Sequence, residues 1–113
     1  MEVQIKKGLL DICVLSVLKR KSSYGYKIVR EVSTCVSISE STLYPILKRL
    51  EAAGCVTTST AEHNGRLRKY YALTEEGQHK IQTFLDEWHE IDAVYRFVSD
   101  ITNNTEGDMK NEP

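Results

Sequence analysis

The sequence has little of what most enzymes and membrane proteins need. No apolar run approaches the roughly 20 residues of a membrane-spanning helix, and the first seven residues do not resemble a signal peptide. The sequence also lacks a glycine-rich phosphate loop, a metal-ligand cluster and a nucleophile–base pattern. We therefore expect a cytoplasmic protein that is not an enzyme and holds neither a cofactor nor a metal ion.

Cysteine is also sparse. The chain has three cysteines, Cys13, Cys35 and Cys55, which are widely spaced and form no CxxC pair. Two of them lie in apolar segments, and this favours reduced core thiols over disulfides or metal ligands. The three histidines likewise lack the spacing of metal ligands.

Net charge is nearly absent, but the charges are unevenly distributed. The 113 residues suffice for one domain with a modest core, and the net charge is −1. Residues 1–71 carry 12 Lys and Arg against 6 Asp and Glu, a balance of +6, whereas residues 72–113 carry 3 against 10, a balance of −7. A basic body with an acidic C-terminal segment suits a protein that docks one end on a polyanion.

Residues 39–51 have the pattern of an amphipathic helix with an unusual polar face. Leu43, Ile46, Leu47 and Leu50 recur at i, i+3, i+4 and i+7, which gives one apolar stripe. The opposite side carries hydroxyls, a phenol and two cations: Ser41, Thr42, Tyr44, Pro45, Lys48 and Arg49. Such groups bond phosphate oxygens and base edges, so the helix fits the major groove of DNA. An ordinary helix with a solvated polar face is the alternative.

Two helices are predicted before this one. Residues 5–20, which include Leu9 and Cys13, are apolar nearly all round, so both the core and a second subunit should cover this helix. Simple central burial is the alternative. A second helix is predicted over residues 23–34, and the Tyr24-Gly25-Tyr26 sequence at its start suggests close approach by another helix or a backbone. The order of helices is that of a helix-turn-helix.

The ends of the third helix carry recognisable signals. Ser37, Ser39 and Ser41 are candidate N-caps, and Ser37 with Glu40 makes a capping-box pattern. Pro45 lies beyond the first turn if Ser39 is the cap, where proline should kink the helix. Gly54 marks its end.

A basic β-hairpin is predicted next. Residues 55–61 and 66–73 have the pattern of strands, and Asn64-Gly65 between them is a strong hairpin signal. Arg66, Arg68 and Lys69 follow this turn, so the hairpin tip is basic. A basic hairpin after a helix-turn-helix indicates a wing that reaches the phosphate backbone or the minor groove. Cations that protect an edge strand are the alternative.

A long helix should begin after Thr74 and end near residue 101. Its helically spaced residues are Ile81, Phe84, Leu85, Trp88, Ile91, Asp92, Tyr95 and Val98. A small three-helix body cannot cover such a length, so the stripe needs a partner, most simply the same helix of a second subunit. We thus divide the chain into a DNA-binding domain over 1–74, a dimerisation helix over 75–102 and a disordered tail over 103–113.

Three segments together resemble the PadR family of bacterial transcriptional regulators, over roughly residues 5–98. Gly8-Leu-Leu with Ser23-Tyr-Gly-Tyr26 is similar to the first two helices of the family. Ser41-Thr-Leu-Tyr-Pro with Lys48-Arg-Leu-Glu51 and Gly54 is similar to its recognition helix. The segment from Gly65 to Gly77 is similar to its wing and the start of its final helix. The single C-terminal helix resembles the smaller subgroup of the family.

The resemblance implies a homodimeric winged helix-turn-helix repressor on an operator with dyad symmetry, dimerised through the last helix packed on the partner's first helix. Pro45 also recurs in the family's recognition helix. In some small members a Trp on the last helix lines a dimer-interface pore that binds flat, apolar drugs, and Trp88 and Asp92 fall at that position. Packing in the dimer core is the alternative role of Trp88. The candidate ligand or dimer-interface residues are Leu9, Cys13, Leu85, Trp88, Asp92 and Tyr95.

We accordingly expect an α+β, mostly helical fold: a winged helix-turn-helix with a long C-terminal dimerisation helix. Its partners should be double-stranded DNA, a second copy of the chain and a small apolar ligand, with no membrane. The candidate DNA-binding residues are Tyr24, Tyr26, Lys27, Ser39, Ser41, Thr42, Tyr44, Pro45, Lys48, Arg49, Asn64, Arg66, Arg68 and Lys69. The alternative function is a winged-helix protein-interaction module that does not bind specific DNA.

Overall fold

The elements of the computed structural model follow the expected order. The structure describes residues 3–110, and the side chains of residues 8–104. The elements are α1 (Val3–Leu18), α2 (Gly25–Val32), α3 (Glu40–Ala52), β1 (Val56–His63), β2 (Arg66–Leu73) and α4 (Glu75–Lys110). This arrangement confirms the mostly helical α+β fold. The chain forms two compact units, Met1–Gln82 and Thr83–Pro113.

The core of the first unit lies among α1, α2 and α3. The apolar stripe predicted for α3 is buried, because Leu43, Ile46, Leu47 and Leu50 all belong to the core cluster. The other buried members are Leu10, Val14, Leu15, Leu18, Ile28, Val32, Cys55, Val56, Tyr71 and Ile81. Burial of a leucine or isoleucine side chain stabilises a fold by about 1.5–3 kcal/mol. The helical packing that presents the outer face of α3 therefore rests on this cluster.

The third helix begins one residue after Ser39. Ser39 has an extended backbone, and its Oγ accepts a hydrogen bond from the Thr42 N–H at 3.3 Å. The capping-box pattern of Ser37 with Glu40 is therefore not used, because Ser39 already occupies the N-cap and Glu40 is the first helical residue. The helix continues through Pro45 and ends before Gly54, whose φ of 77° is left-handed.

The two strands form the expected antiparallel hairpin. Val56 pairs with Leu73 and His63 with Arg66, so the strands are in register along their whole length. Asn64 and Gly65 have φ values of 53° and 78°, the left-handed pair that a tight two-residue turn needs. Ser23 adds a short bridge beside β2, because its N–H donates to the Tyr71 carbonyl and its carbonyl accepts from the Tyr71 N–H. The hairpin is thus joined to the loop before α2.

The first turns of α4 belong to the first compact unit, which ends at Gln82. The Thr74 hydroxyl donates to the Gly54 carbonyl at 2.6 Å and accepts from the Gly77 N–H at 3.1 Å. A Cβ at Gly77 would collide with the Cys55 carbonyl oxygen, so only glycine fits at this position of the helix. Ile81 then enters the core.

The second unit consists of the rest of α4. The helix reaches Lys110, so residues 103–110 are helical rather than irregular, and residues 111–113 lie outside the described part. The apolar pattern ends near Ile101, but no proline follows before Pro113, and the Asn103 amide donates to Ser99 Oγ at 3.4 Å. Within the described residues, none of the helices combines the length and apolar content needed to cross a membrane.

Candidate nucleic-acid interface

The outer face of α3 carries a cluster of hydroxyls and the exposed cation Lys48, and the neighbouring Arg49 is also exposed. Ser39 Oγ lies 2.9 Å from Ser41 Oγ and 3.2 Å from Thr42 Oγ1, so the three hydroxyls share hydrogen bonds at the start of the helix. Ser41, Pro45 and Lys48 are all exposed and follow one another along the outer face. Hydroxyls near a helix N-terminus and a lysine two turns later suit phosphates and base edges in a major groove.

One flank of α3 is formed by Tyr44, which leans over the start of α2. A Cβ added to Gly25 would lie 2.6 Å from the Tyr44 hydroxyl oxygen, so glycine is what allows this approach. The sequence predicted close approach at Gly25 by a helix or backbone, whereas the neighbour is a side chain. Burial, followed by the charges of Glu40 and Tyr71, raises the pKa of the Tyr44 phenol. The phenol therefore remains protonated and can donate a hydrogen bond at neutral pH.

The other flank is held against α1. Arg49 Nη2 donates to Asp11 Oδ1 at 2.6 Å, and the Asp11 side chain is only 10% exposed. The sequence grouped Arg49 with the outer-face cations, but this pairing directs its guanidinium toward α1. A buried carboxylate left without its partner would be costly. Arg49 therefore fixes α3 to the core and stands apart from Ser41 and Lys48.

The C-terminal half of α3 contacts the hairpin through Glu51. Thr58 Oγ1 donates to Glu51 Oε2 at 3.2 Å, and Lys69 Nζ lies 4.0 Å from Glu51 Oε1. Lys69 therefore faces α3 on the body side of the hairpin, away from the exposed tip at Asn64 and Arg66. Both partners of the ion pair are substantially exposed, so the pair contributes little stability. It does set the side of the hairpin that faces the helix.

The opposite face of the hairpin contacts the start of α2. The Arg68 guanidinium carbon lies 3.8 Å from the centroid of the Tyr24 ring, and the Tyr70 ring meets Tyr24 edge-on at 5.7 Å. Alternation along β2 explains this arrangement, since Arg66, Arg68 and Tyr70 share one face of the strand. Arg68 and Tyr70 are half-buried, whereas Arg66 is exposed.

Two open clefts lie beside the hairpin and bring most of the predicted residues together. One, of about 710 Å³, is lined by Tyr24, Gly25, Tyr26, Tyr44, His63, Asn64, Arg66, Leu67, Arg68, Lys69 and Tyr71. The other, of about 810 Å³, has as its cations Lys21, Lys27, Arg30 and Arg68. Its carboxylate, Glu31, lies 4.0 Å from Lys27 Nζ. Both clefts are therefore basic and lined by tyrosines.

Several of these lining residues were not among the candidates that the sequence suggested. Arg30 lies one turn after Tyr26, with its guanidinium carbon 5.8 Å from the ring centroid, and helical spacing could have suggested this pair. Strand alternation could have joined Tyr70 to Arg68. Lys21 and His63 lie in the cleft wall without any local sequence signal.

The candidate ligand or dimer residues are divided between the units. In the first, Leu9 and Cys13 are half-buried on α1, and burial, followed by the neighbouring Cys35 thiol, raises the pKa of Cys13. In the second, Leu85, Trp88 and Tyr95 are exposed, and Trp88 lies 5.9 Å from the Phe84 ring. Asp92 accepts from Arg96 Nε at 2.7 Å. The described residues contain no group of three His, Cys, Asp or Glu side chains that could hold a metal ion.

Comparisons with known proteins agree with this geometry. Residues 14–83 match the profile of the family described as transcriptional regulator PadR-like. A solved structure from Streptococcus mutans is 41% identical, with 87% of this chain and 89% of that chain covered and a TM-score of 0.70. A PadR family transcription regulator from Clostridium difficile is 34% identical, with 78% and 96% covered and a TM-score of 0.71. Bacillus subtilis PadR, solved in complex with operator DNA, is 28% identical, with 68% and 46% covered and a TM-score of 0.63.

Proposed function

Because the chain belongs to the PadR-like family of transcriptional regulators, we propose that it is a homodimeric repressor that binds a dyad-symmetric operator through its winged helix-turn-helix. Such a repressor acts on DNA in the cytoplasm. The family consists of regulators of transcription, which are not enzymes. The similar Bacillus subtilis protein was solved with operator DNA, and this supports double-stranded DNA as the partner.

The observation that carries the proposal is the outer face of α3, which stays accessible while both of its flanks are held. Arg49 ties one flank to α1, and Tyr44 packs over Gly25 on the other. Between them, Ser41, Pro45 and Lys48 are exposed. A rigid helix with an accessible polar face is what major-groove reading requires.

The residues have different roles in this proposal. Ser41, Lys48 and the Tyr44 phenol contact base edges, and the shared hydroxyls of Ser39 and Thr42 orient them. The wing and the start of α2 hold phosphates through Tyr24, Tyr26, Lys27, Asn64, Arg66, Arg68 and Lys69. Since Lys27 and Lys69 lie near Glu31 and Glu51, they contribute less net charge than Arg66 and Arg68. Arg49 acts indirectly, by holding α3.

The dimer in this proposal is formed by α4. Phe84, Trp88, Ile91, Tyr95 and Val98 are spaced by four and three residues alternately, the seam of a coiled coil. All except Phe84 are exposed in the single chain. A second copy would cover this seam, with the half-buried Leu9 and Cys13 of α1 as further contacts. The two recognition helices should then lie about 34 Å apart, one turn of duplex.

Two roles are proposed for Trp88, and an experiment can distinguish them. Its position in the seam favours packing between subunits, and a flat apolar inducer is the other role. An inducer would relieve repression only by preferring a dimer whose recognition helices are misplaced, since equal affinity for both geometries shifts nothing. Quenching of Trp88 fluorescence by such a compound, together with release of bound DNA, would support the inducer role.

The test is a fluorescence anisotropy titration of the protein into duplex DNA from upstream of its own gene, beside a scrambled duplex, at two salt concentrations. Tight, salt-sensitive binding that prefers the native duplex is the expected result. Equal, weak binding to both duplexes would place the operator elsewhere. Absence of salt-dependent binding by a dimer would favour the protein-interaction module.

A further inference from the structure

Two arginines of the wing lie two residues apart on one strand but in different surroundings. Arg66 is exposed beside the turn, and no partner is seen for it in the described part of the chain. Arg68 is half-buried, and its guanidinium lies over the Tyr24 ring at 3.8 Å. Tyr70 packs its ring edge-on against the same tyrosine, with an interplanar angle of 78°. The position of Arg68 is thus fixed by aromatic packing.

A separation of 3.8 Å from the ring centroid fits a guanidinium that packs by its face and leaves its edge for other partners. A guanidinium is planar and weakly hydrated, so it stacks on a ring while its N–H donors point outward in the plane. Among residues 8–104, no carboxylate forms an ion pair with Arg68 and no acceptor takes its hydrogen bonds. The donors are therefore held in place without an acceptor.

The surroundings of the stack favour an anion. The cleft that Arg68 lines also contains Lys21, Lys27 and Arg30, whereas Glu31 is its carboxylate and lies beside Lys27. The net positive charge attracts a phosphate, and the fork of a guanidinium matches two phosphate oxygens. A lysine ammonium at the same position would have neither the flat face nor the fork.

We propose that the Tyr24–Arg68 stack is a preformed binding site for one phosphodiester of the DNA backbone, and that this is the position at which the wing requires arginine rather than any cation. The proposal rests on the DNA-binding function proposed above. Tyr24 acts in it through its ring, which supports the guanidinium. Arg66, without such support, acts as a mobile charge.

The matched test compares two conservative substitutions, Arg68→Lys and Arg66→Lys, in the full chain. Both keep the charge, so both should keep the salt dependence of binding. Arg68→Lys also loses one hydrogen bond of the charged fork, and this loss costs about tenfold in affinity. We therefore expect Arg68→Lys to bind the upstream duplex about tenfold more weakly than Arg66→Lys. Equal losses would overturn the proposal.

A second pair of variants tests the ring. Tyr24→Phe keeps the aromatic face, whereas Tyr24→Leu removes it, so the leucine variant should bind about tenfold more weakly than the phenylalanine variant. The Tyr24→Leu and Arg68→Lys losses should also overlap in the double variant, because each breaks the same contact. Additive losses would overturn the stack as one site.

The two proposals fail in different ways. If the unaltered chain shows no salt-dependent affinity for DNA, the repressor function itself is wrong. If the unaltered chain binds and the two lysine variants agree, only the phosphate site is wrong. Circular dichroism and thermal unfolding of each variant identify any that fails to fold, and the Tyr24→Phe and Tyr24→Leu comparison then decides.

Discussion

The two compact units of the chain expose their apolar side chains to different extents. In the first unit, the stripes of α1, α2 and α3 face one another, and Leu15, Leu43 and Leu50 are fully buried. In the second, the exposed large side chains are Leu85, Trp88, Ile91, Val94, Tyr95, Phe97, Val98 and Ile101. The first unit therefore has a core of its own, whereas the second is an apolar surface. This difference teaches that the unit proposed to read DNA is stabilised within one chain, whereas α4 has the surface on which the proposed dimer depends.

The largest expected effect comes from putting a charge on the seam of α4. Ile91→Lys should dissociate the dimer, because a lysine at the centre of the seam must be desolvated. Two linked half-sites typically gain about 10²–10⁴ in affinity over one, so operator binding should fall by about that factor. Size-exclusion chromatography and anisotropy measure the two losses.

The control for this change is His89→Lys. Residue 89 lies on the side of α4 opposite the seam, so the same side chain there should leave the dimer intact. If Ile91→Lys remains a dimer with full operator affinity, the seam is not the assembly surface.

The next largest effect should come from a substitution that leaves a cavity in the core of the first unit. Leu47 is 1% exposed in the core below α3, so Leu47→Ala should lower the free energy of unfolding by about 2–5 kcal/mol. Val98→Ala, at an exposed seam position, should instead weaken assembly, so its midpoint of unfolding should depend less on protein concentration than that of the unaltered chain. Urea unfolding measured at several protein concentrations separates these outcomes. If both variants behaved alike, the two units would not differ in how they are stabilised.

Overpacking at the start of α2 tests how tightly the flank of α3 is held. Gly25→Ala places a Cβ 2.6 Å from the Tyr44 hydroxyl oxygen, so we expect a loss of about 1–3 kcal/mol in stability and weaker operator binding. Gly8→Ala is the matched control, since a Cβ there meets nothing within 4 Å and should stabilise α1 by up to about 1 kcal/mol. Equal stability of both variants would mean that Tyr44 moves away freely.

Alanine substitutions of the neighbouring cations Lys48 and Arg49 should give the smallest effects. One should change DNA binding and the other should change stability. Arg49→Ala removes the partner of Asp11 and should lower stability by about 1–2 kcal/mol, while the salt dependence of DNA binding stays the same. Lys48→Ala should leave stability within about 0.5 kcal/mol but reduce the salt slope by about two, because each copy in the proposed dimer loses one cation of the interface. If Arg49→Ala also reduced the salt slope, Arg49 would contact the DNA directly, and the indirect role proposed for it would be wrong.

Local sequence patterns predicted most of the fold. The spacing of Leu43, Ile46, Leu47 and Leu50 predicted the buried side of α3, and Asn64-Gly65 predicted the turn of the hairpin. These features depend on neighbours a few residues away, so a sequence can reveal them. The length of α4 could not be predicted from apolar spacing, because the helix continues to Lys110, past the end of the apolar pattern near Ile101.

The site was harder to predict, because its geometry depends on distant contacts. Arg49 and Lys48 are adjacent in sequence and both lie on the polar side of the helical wheel, yet only Arg49 is paired, with a carboxylate 38 residues away. The stack of Arg68 on Tyr24 likewise joins a strand to a helix N-terminus. Sequence patterns identified these residues as candidates. Only the fold distinguishes the side chains that hold the helix and the hairpin in place from those that remain accessible to a ligand.

The most direct test of the dimeric repressor is the mass of the protein in solution, alone and on a duplex that carries its operator, by sedimentation velocity. We expect a species of twice the 12.9 kDa chain mass when the protein is free, and two chains per duplex when it is bound. A monomer that binds one half-site with the full affinity of the unaltered protein would contradict the dimeric repressor, and would show that the apolar surface of α4 serves some other purpose.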